Sequence, residues 1–367
     1  MKTNKKVIIS GGGSGGHIFP ALAVANALKQ KDSSIEFLFV GAKGKMEMEK
    51  VPKAGYQIEG LWISGFHRKL TVRNLMFPFK LLHSLVKAYF IIRRFKPDVA
   101  IGTGGFASGP ILEMASRKGI PTLIQEQNSY AGLTNRLLAK KVTKICVSYD
   151  KMGRFFPKSK LVMTGNPVRE EITNIEGKRA KGIAHFGLDS NKKTILIIGG
   201  SLGARTFNDS MEAAFDTIAN RQDVQVLWQC GKLYIDEFEK KQTGQLPNVK
   251  LTKFIDKMDL GYAVADVVIS RGGAIAISEL CLVEKPVILV PSPNVAEDHQ
   301  TENALALVGK DAAIMVKDAN AKQDLINTAL ELLGDEAQKV KLSKNIAALG
   351  KRNVAARIAE EVLKLIK

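Results

Sequence analysis

Twice along this chain an apolar, β-branched run ends in a glycine cluster that opens a helical pattern. Residues 7–10 (VIIS) lead into GGGSGGH, and residues 195–198 (ILII) lead into GGSLGAR. A strand feeding a helix through a glycine turn is the opening unit of a parallel α/β layer. Its recurrence half a chain later constrains the fold more than any composition figure. Each half also carries a second glycine loop after a strand, IGTGGFASGP at 101–110 and ISRGGAIAISE at 269–279. Further apolar runs at 35–40, 98–102, 121–125, 143–147, 224–229, 266–270 and 286–290 join 6–10 and 194–198 as nine expected strands. Helical patterns lie between them, over 18–30, 205–219, 273–283 and 320–333. Continuous apolar strands mean parallel sheets covered on both faces. The expectation is an α/β chain of two doubly wound units in tandem, broken near Thr164–Arg169, where Gly165 and Pro167 punctuate the pattern. The expected domains are 1–166 and 167–344. Residues 336–366 read as helix, and the stretch from about 345 to 367 is left free to pack back on the first domain.

Length agrees with two units: 367 residues at about 100–200 per domain, each long enough to bury a core. A chain that is 45% hydrophobic and 25% charged is not disordered, collagenous or a coiled coil. Cys146, Cys230 and Cys281 are odd in number and far apart, which excludes a disulfide framework, argues against a cysteine zinc site and suits a reducing compartment. No run of 18 or more uncharged apolar residues is present, so no membrane-spanning helix is expected. The basic start MKTNKK has no apolar stretch of the signal-peptide kind behind it.

The net charge of +18 is lopsided. Residues 1–166 hold 27 basic and 9 acidic side chains, whereas 167–367 hold 27 of each. Such a field points the first half at an anionic partner, nucleic acid or a membrane surface. Within that half, residues 72–97 interleave Leu75, Phe77, Phe79, Leu81, Leu82, Leu85, Val86, Tyr89, Phe90, Ile91, Ile92 and Phe95 with Arg73, Lys80, Lys87, Arg93, Arg94 and Lys96. A basic, aromatic-rich helix can lie on an anionic membrane. A core helix with a solvated basic edge is the plainer reading, and the apolar content exceeds one face, so both apply in part. Pro78 breaks or starts a helix here. No nucleic-acid recognition motif accompanies the charge.

Gly11, Gly13 and Gly16 satisfy G-x-G-x-x-G between a strand and a helix, a phosphate cradle built from backbone N–H groups and a helix N-terminus. The acidic residue that would read an NAD ribose is missing from the end of the next strand, Phe39-Val40-Gly41-Ala42-Lys43, which disfavours a dinucleotide. No GxxxxGK[ST] motif is present, which disfavours ATP hydrolysis. In the second half Ser201 lies in a glycine loop, and Arg271-Gly272-Gly273-Ala274 opens a helix that carries Glu279. That carboxylate either accepts two ribose hydroxyls or is an ordinary surface residue. The polar run Glu297-Asp298-His299-Gln300 suits sugar hydroxyls better than a metal, since no HExxH-like spacing occurs. His17 either acts as a general base or is a helix-start residue satisfied by a carbonyl.

Seven motifs in order between residues 11 and 304, GGGSGGHIFPALAVA, GTGGFASGP, QEQNSYAGLTNR, GNPVR, GGSLGAR, SRGGAIAISE and AEDHQTENA, resemble the bacterial MurG family of peptidoglycan glycosyltransferases. The resemblance implies a GT-B fold, two Rossmann-like domains facing across a cleft. It implies inverting, β-1,4 transfer of GlcNAc from UDP-GlcNAc to the muramoyl 4-hydroxyl of lipid I, the undecaprenyl-diphosphate-linked muramoyl-pentapeptide, to give lipid II. No metal or other cofactor is implied; helix N-termini, N–H groups and a cation would then stabilise the leaving diphosphate. For the donor it implies Ser14, Gly15, Gly16 and Asn128 near the sugar, Arg169 and Ser201 at the diphosphate, and Ile255 at the uracil through its backbone. Ala274 would face phosphate, Glu279 the ribose, and His299 and Gln300 the GlcNAc hydroxyls. His17 is the base, with Glu126 as runner-up, and Thr103, Gly104, Gly105, Ser108 and Gly109 cradle the acceptor diphosphate. The first domain would bind acceptor and membrane at the cytoplasmic face of the inner membrane as a peripheral protein. Its company would be other cell-wall synthesis proteins, not nucleic acid, and its role would extend to cell shape and division.

Three positions depart from the family pattern. Leu202 replaces the glutamine of GGSQGA and cannot make an amide contact, Gln125 replaces the histidine of HEQN, and Gly272 replaces the alanine of RAGA, the last expected to be benign. Rival readings are a nicotinamide dehydrogenase, which leaves the second half's motifs unexplained, and a related UDP-GlcNAc 2-epimerase or diacylglycerol glucosyltransferase. A binding scaffold without turnover is a third.

Overall fold

The computed structural model describes residues 4–65, 75–200 and 202–366. They form two compact units. Unit 1 comprises Met1–Val168 and Asn353–Lys367, and unit 2 comprises Arg169–Arg352.

In unit 1, β1 (Lys6–Ser10), β2 (Glu36–Ala42), β3 (Ile58–Leu61), β4 (Val99–Gly102), β5 (Thr122–Glu126), β6 (Lys144–Val147) and β7 (Leu161–Met163) build a parallel sheet in the order β3-β2-β1-β4-β5-β6-β7. In unit 2, β8 (Lys193–Ile198), β9 (Val224–Gln229), β10 (Val249–Thr252), β11 (Val267–Ser270), β12 (Val287–Leu289) and β13 (Ile314–Met315) follow the order β10-β9-β8-β11-β12-β13. The order reverses once in each sheet, between β1 and β4 and between β8 and β11. Register places Ser10 beside Gly102 and Ile198 beside Ser270. The two glycine loops of each unit therefore leave adjacent strand ends, at the point where open α/β sheets bind ligands.

The nine expected strands are the inner strands. The four that the pattern does not show, β3, β7, β10 and β13, are the four sheet edges. They are two to four residues long and mostly half-buried. Short edges limit pairing with other chains, and they leave too few residues to register as apolar runs.

The C-terminal stretch is two helices rather than one. Glu336–Ala347 stays with unit 2, where Leu342 and Ile346 are buried in its core. A turn through Gly350 and Asn353, the latter at φ +58°, ends this part. The helix Val354–Leu363 then places Val354, Ile358, Ala359 and Val362 in the unit 1 core with Ile18, Ala21, Val24 and Ala25 of the helix Gly15–Lys31. Lys31 and Glu360 pair at 2.9 Å across this contact. The return to unit 1 thus begins at Asn353, later than about 345, because residues up to 352 are still packed in unit 2. Counted along these units the charge is +19 for unit 1 and −1 for unit 2.

Residues 66–74 lie outside the described residues, and with them the start of the amphipathic segment. From there on it is the helix Phe77–Phe95, with Pro78 in the first turn, where a missing N–H costs nothing. Ser84, Ala88, Ile91 and Ile92 face the core, while Phe79, Leu82, Val86 and Phe90 form an exposed stripe.

Candidate functional site

In unit 1 the loop after β1 packs directly on the loop after β4. A Cβ at Gly11 would lie 2.0 Å from Thr103 Oγ1, and one at Gly105 would lie 2.2 Å from Gly12 O. Gly104 and Gly105 hold φ of +97° and +80°, where side chains are disfavoured. Ser14 caps the helix Gly15–Lys31, its carbonyl accepting from His17 N at 3.2 Å. Gly15 and Gly16 form the helix start, and a Cβ at Gly15 would press on Phe19. Thr103 is buried and donates through Oγ1 to His17 O at 2.8 Å; Ser108, also buried, donates to Gly105 O at 2.9 Å. Gly109 approaches Thr134. A Cβ at Gly104 would meet His17 Nδ1 at 2.9 Å, so the imidazole lies against the Thr103–Gly109 loop. The residues expected at the acceptor diphosphate and the expected base are therefore neighbours.

Glu126, at the end of β5, is buried, and its carboxylate is heavily engaged. Oε1 accepts from Asn128 N at 3.0 Å and from Asn128 Nδ2 at 3.3 Å; Oε2 accepts from Gly132 N at 3.0 Å and Asn135 Nδ2 at 2.8 Å. Its work here is to fold the QEQNSYAGLTNR loop. Asn128 is accordingly turned toward Glu126. Gln125 is fully buried and donates to Asn166 Oδ1 at 3.0 Å, which gives the histidine-to-glutamine departure a structural place.

In unit 2 the loop after β8 is held from behind by Gln229. Its Nε2 donates to Gly200 O at 2.8 Å, and its Oε1 accepts from Ile255 N at 3.0 Å. Ile255 is buried and its N–H is taken, so a uracil contact through that N–H requires Gln229 to release it. Ser201 lies outside the described residues. Leu202 is exposed on this loop.

Ala274 is the first residue of the helix Ala274–Val283, with Gly273 as cap. On the same helix, Glu279 is buried rather than on the surface. Arg169 Nε and Nη2 both donate to its Oε1 at 3.2 Å, and Tyr262 OH donates to Oε2 at 3.2 Å. Burial pushes the Glu279 carboxyl up, against the pull of Arg169 and the Tyr262 hydroxyl. Burial opposes the charge on Arg169, and the carboxylate beside it reverses this, holding the guanidinium above its ordinary value. The Tyr262 hydroxyl is pushed well up by burial and by Glu279. Two residues expected at separate parts of one ligand thus bind each other.

His299 begins the helix His299–Val308, and Gln300 Oε1 accepts from Ser292 N at 2.9 Å. Asn303, fully buried, donates to Gly272 O at 3.1 Å. A Cβ at Gly272 would lie 2.5 Å from Gln300 O, so glycine is what permits this approach of the two loops. Among the described residues no group of three or more His, Cys, Asp or Glu side chains is placed to hold a metal ion.

The sequence reading missed Glu47, Gln127, Gln229 and Tyr262. Glu47 is fully buried and accepts from Gly13 N at 3.1 Å and Ala42 N at 3.0 Å, bracing the first glycine loop. It stands in the charged run EMEK, where nothing in the sequence singles it out. Gln127 sits inside a quoted motif, where its neighbour Glu126 draws attention first.

The chain matches the glycosyltransferase family 28 N-terminal domain over residues 7–147 and the C-terminal domain of the same family over 194–361. It is 55% identical to the UDP-N-acetylglucosamine--N-acetylmuramyl-(pentapeptide) pyrophosphoryl-undecaprenol N-acetylglucosamine transferase of Flavobacterium psychrophilum, covering 99% of this chain and 98% of that protein. It is 56% identical to the protein of that name from Bacteroides fragilis, over 98% and 95%. The crystal structure of Acinetobacter baumannii MurG superposes with a TM-score of 0.78 at 26% identity, covering 98% of this chain and 99% of that one. A Neisseria meningitidis UDP-GlcNAc 2-epimerase reaches 0.70 at 14% identity, over 98% and 100%, a likeness of fold alone. With the motifs in order, a switch-point glycine loop pair in each unit and full-length identity above one half, this chain belongs to the MurG family of GT-B glycosyltransferases, the UDP-N-acetylglucosamine--N-acetylmuramyl-(pentapeptide) pyrophosphoryl-undecaprenol N-acetylglucosamine transferases.

Proposed function

We propose that the chain transfers GlcNAc from UDP-GlcNAc to the 4-hydroxyl of the muramoyl sugar in the undecaprenyl-diphosphate-linked pentapeptide, with inversion at the anomeric carbon. The observation that carries the reading is the presence, in one chain, of two switch-point glycine cradles, one in each unit. The reaction has two diphosphate-bearing substrates, and the relatives' name states both sugars and the lipid diphosphate. Unit 2 takes the donor: the loop after β8 and the helix start at Ala274 meet the diphosphate, and Glu279 meets the ribose once Arg169 turns from it to phosphate. Unit 1 takes the acceptor diphosphate on Thr103–Gly109.

His17 then removes the proton from the acceptor hydroxyl while that oxygen attacks C1 of GlcNAc. The bond from C1 to the diphosphate oxygen breaks, and its electron pair leaves with UDP. Backbone N–H groups at the helix starts and the Arg169 guanidinium meet the charge that develops there. What supports His17 over Glu126 is that four donors already occupy the Glu126 carboxylate. The +19 of unit 1 and the exposed stripe Phe79, Leu82, Val86 and Phe90 support peripheral docking on an anionic membrane surface; a place at the cytoplasmic face beside other cell-wall synthesis proteins is the part of the proposal that rests on the family resemblance. The reaction is expected to need no metal.

The test is UDP release from UDP-GlcNAc, with and without a lipid I analogue, in EDTA. Acceptor-dependent release is expected. Binding of UDP-GlcNAc without acceptor-dependent release would move the function to another acceptor or to epimerisation.

A further inference from the structure

Behind His17 stands a buried chain of amides. Gln127 Oε1 lies 3.1 Å from His17 Nδ1. Gln127 Nε2 donates to Thr103 O at 2.7 Å and Gln125 O at 2.9 Å, and it also contacts Gln125 Oε1. Gln125 Nε2 donates to Asn166 Oδ1 at 3.0 Å, an oxygen that accepts from Ser148 Oγ as well. Asn166 Nδ2 closes the ring by donating to Gln127 O at 3.0 Å. Gln125, Gln127 and Asn166 are all buried.

This ring allows the Gln127 amide one orientation. Turned over, its oxygen would face the carbonyl oxygens of Thr103 and Gln125, and buried acceptors would lose their donor, at about 1–3 kcal/mol for each unsatisfied group. With Oε1 fixed toward the imidazole, the facing nitrogen must donate. A neutral histidine carries one ring proton, so a proton on Nδ1 leaves the lone pair on Nε2.

We propose that Gln127 is a positioning residue that holds neutral His17 as the Nδ1–H tautomer, with Gln125 and Asn166 locking Gln127 in turn. The inference deepens the proposed reaction and rests on it for its catalytic consequence: Nε2 is the nitrogen that takes the acceptor proton. It also gives Gln125 a purpose, since a glutamine there offers Gln127 an acceptor and Asn166 a donor in one uncharged side chain.

The experiment is nitrogen-15 NMR of the full chain with labelled histidine. The chain has five histidines, and His17→Ala identifies the His17 signals by their loss. Wild-type neutral His17 is expected to carry its proton on Nδ1. A proton on Nε2, or an even mixture of tautomers, overturns the inference whatever the variants do. In Gln127→Met, which keeps the volume and removes the acceptor, the tautomer is expected to move toward Nε2–H, with kcat about 100-fold lower and the KM for UDP-GlcNAc within about twofold. An unchanged tautomer with unchanged kcat in that variant overturns the role of Gln127. Separately, wild-type turnover in His17→Ala would overturn the base assignment, and an Nδ1–H signal in the wild type would still support the tautomer lock.

Discussion

The family pattern sends Glu279 to a ribose and Arg169 to a diphosphate, and in the folded chain each holds the other. A buried carboxylate without a donor is costly, and Arg169 with Tyr262 supplies the donors here; under the proposed function, ribose hydroxyls would take over from Arg169. Glu279→Gln is expected to weaken UDP-GlcNAc binding about 10-fold or more, because hydrogen bonds to a charged group contribute about 1.5–3 kcal/mol. Calorimetric titration reads this, and unchanged affinity contradicts it. The same variant carries a pH signature. Burial raises the Glu279 carboxyl above 4.5 in the fold, so the folded chain holds a proton that the unfolded chain releases. Its contribution to stability is full below about 4.5 and is lost as pH rises through the folded value. Thermal melts followed upward from about pH 4 should therefore shift in favour of Glu279→Gln relative to wild type; a shift the other way contradicts the burial argument. The candidate site's residues stand out in the sequence because glycines, a helix-start histidine and a helix-borne glutamate fall in ordered motifs. Their partners do not: nothing in EMEK marks Glu47 as buried, and nothing near Tyr262 marks it as the donor to a carboxylate 17 positions on.

The helix Phe77–Phe95 carries two apolar faces that periodicity could not separate. Folding separates them, burying Ala88, Ile91 and Ile92 and leaving Phe79, Leu82, Val86 and Phe90 outside. Phe79→Asp combined with Phe90→Asp is expected to abolish co-sedimentation with anionic vesicles, while the melting temperature stays within about 2 °C because both side chains are exposed. Wild-type binding should fall steeply with salt, since each basic residue near such a surface contributes about 1 kcal/mol. Salt-insensitive binding would contradict an electrostatic surface. At this scale the inner strands were legible because burial on both faces writes an unbroken apolar run. The edge strands β3, β7, β10 and β13 were not, since half-exposed residues over two to four positions write no run at all.

For the molecule as a whole, the helix Val354–Leu363 is the part whose allegiance the sequence does not disclose, because amphipathic spacing names a face and not its partner. It belongs to unit 1, where Val354, Ile358 and Val362 are buried. At about 1.5–3 kcal/mol for each large apolar side chain, this contact is a sizeable share of the roughly 5–15 kcal/mol that holds a domain together. A chain ending at Arg352 is expected to show a unit 1 transition lowered by about 10 °C or more, with UDP-GlcNAc binding by unit 2 retained. Coincident loss of both, in calorimetry and titration, would contradict the assignment of the donor's nucleotide part to unit 2. The same connectivity sets a schedule for biosynthesis. Unit 1's sheet is complete by Met163, yet the groove on Gly15–Lys31 stays open until a helix starting at Val354 is made. At about 5–20 residues per second, the nascent unit waits on the order of 10–40 s with that apolar groove uncovered while unit 2 is translated, a window in which a chaperone can bind it.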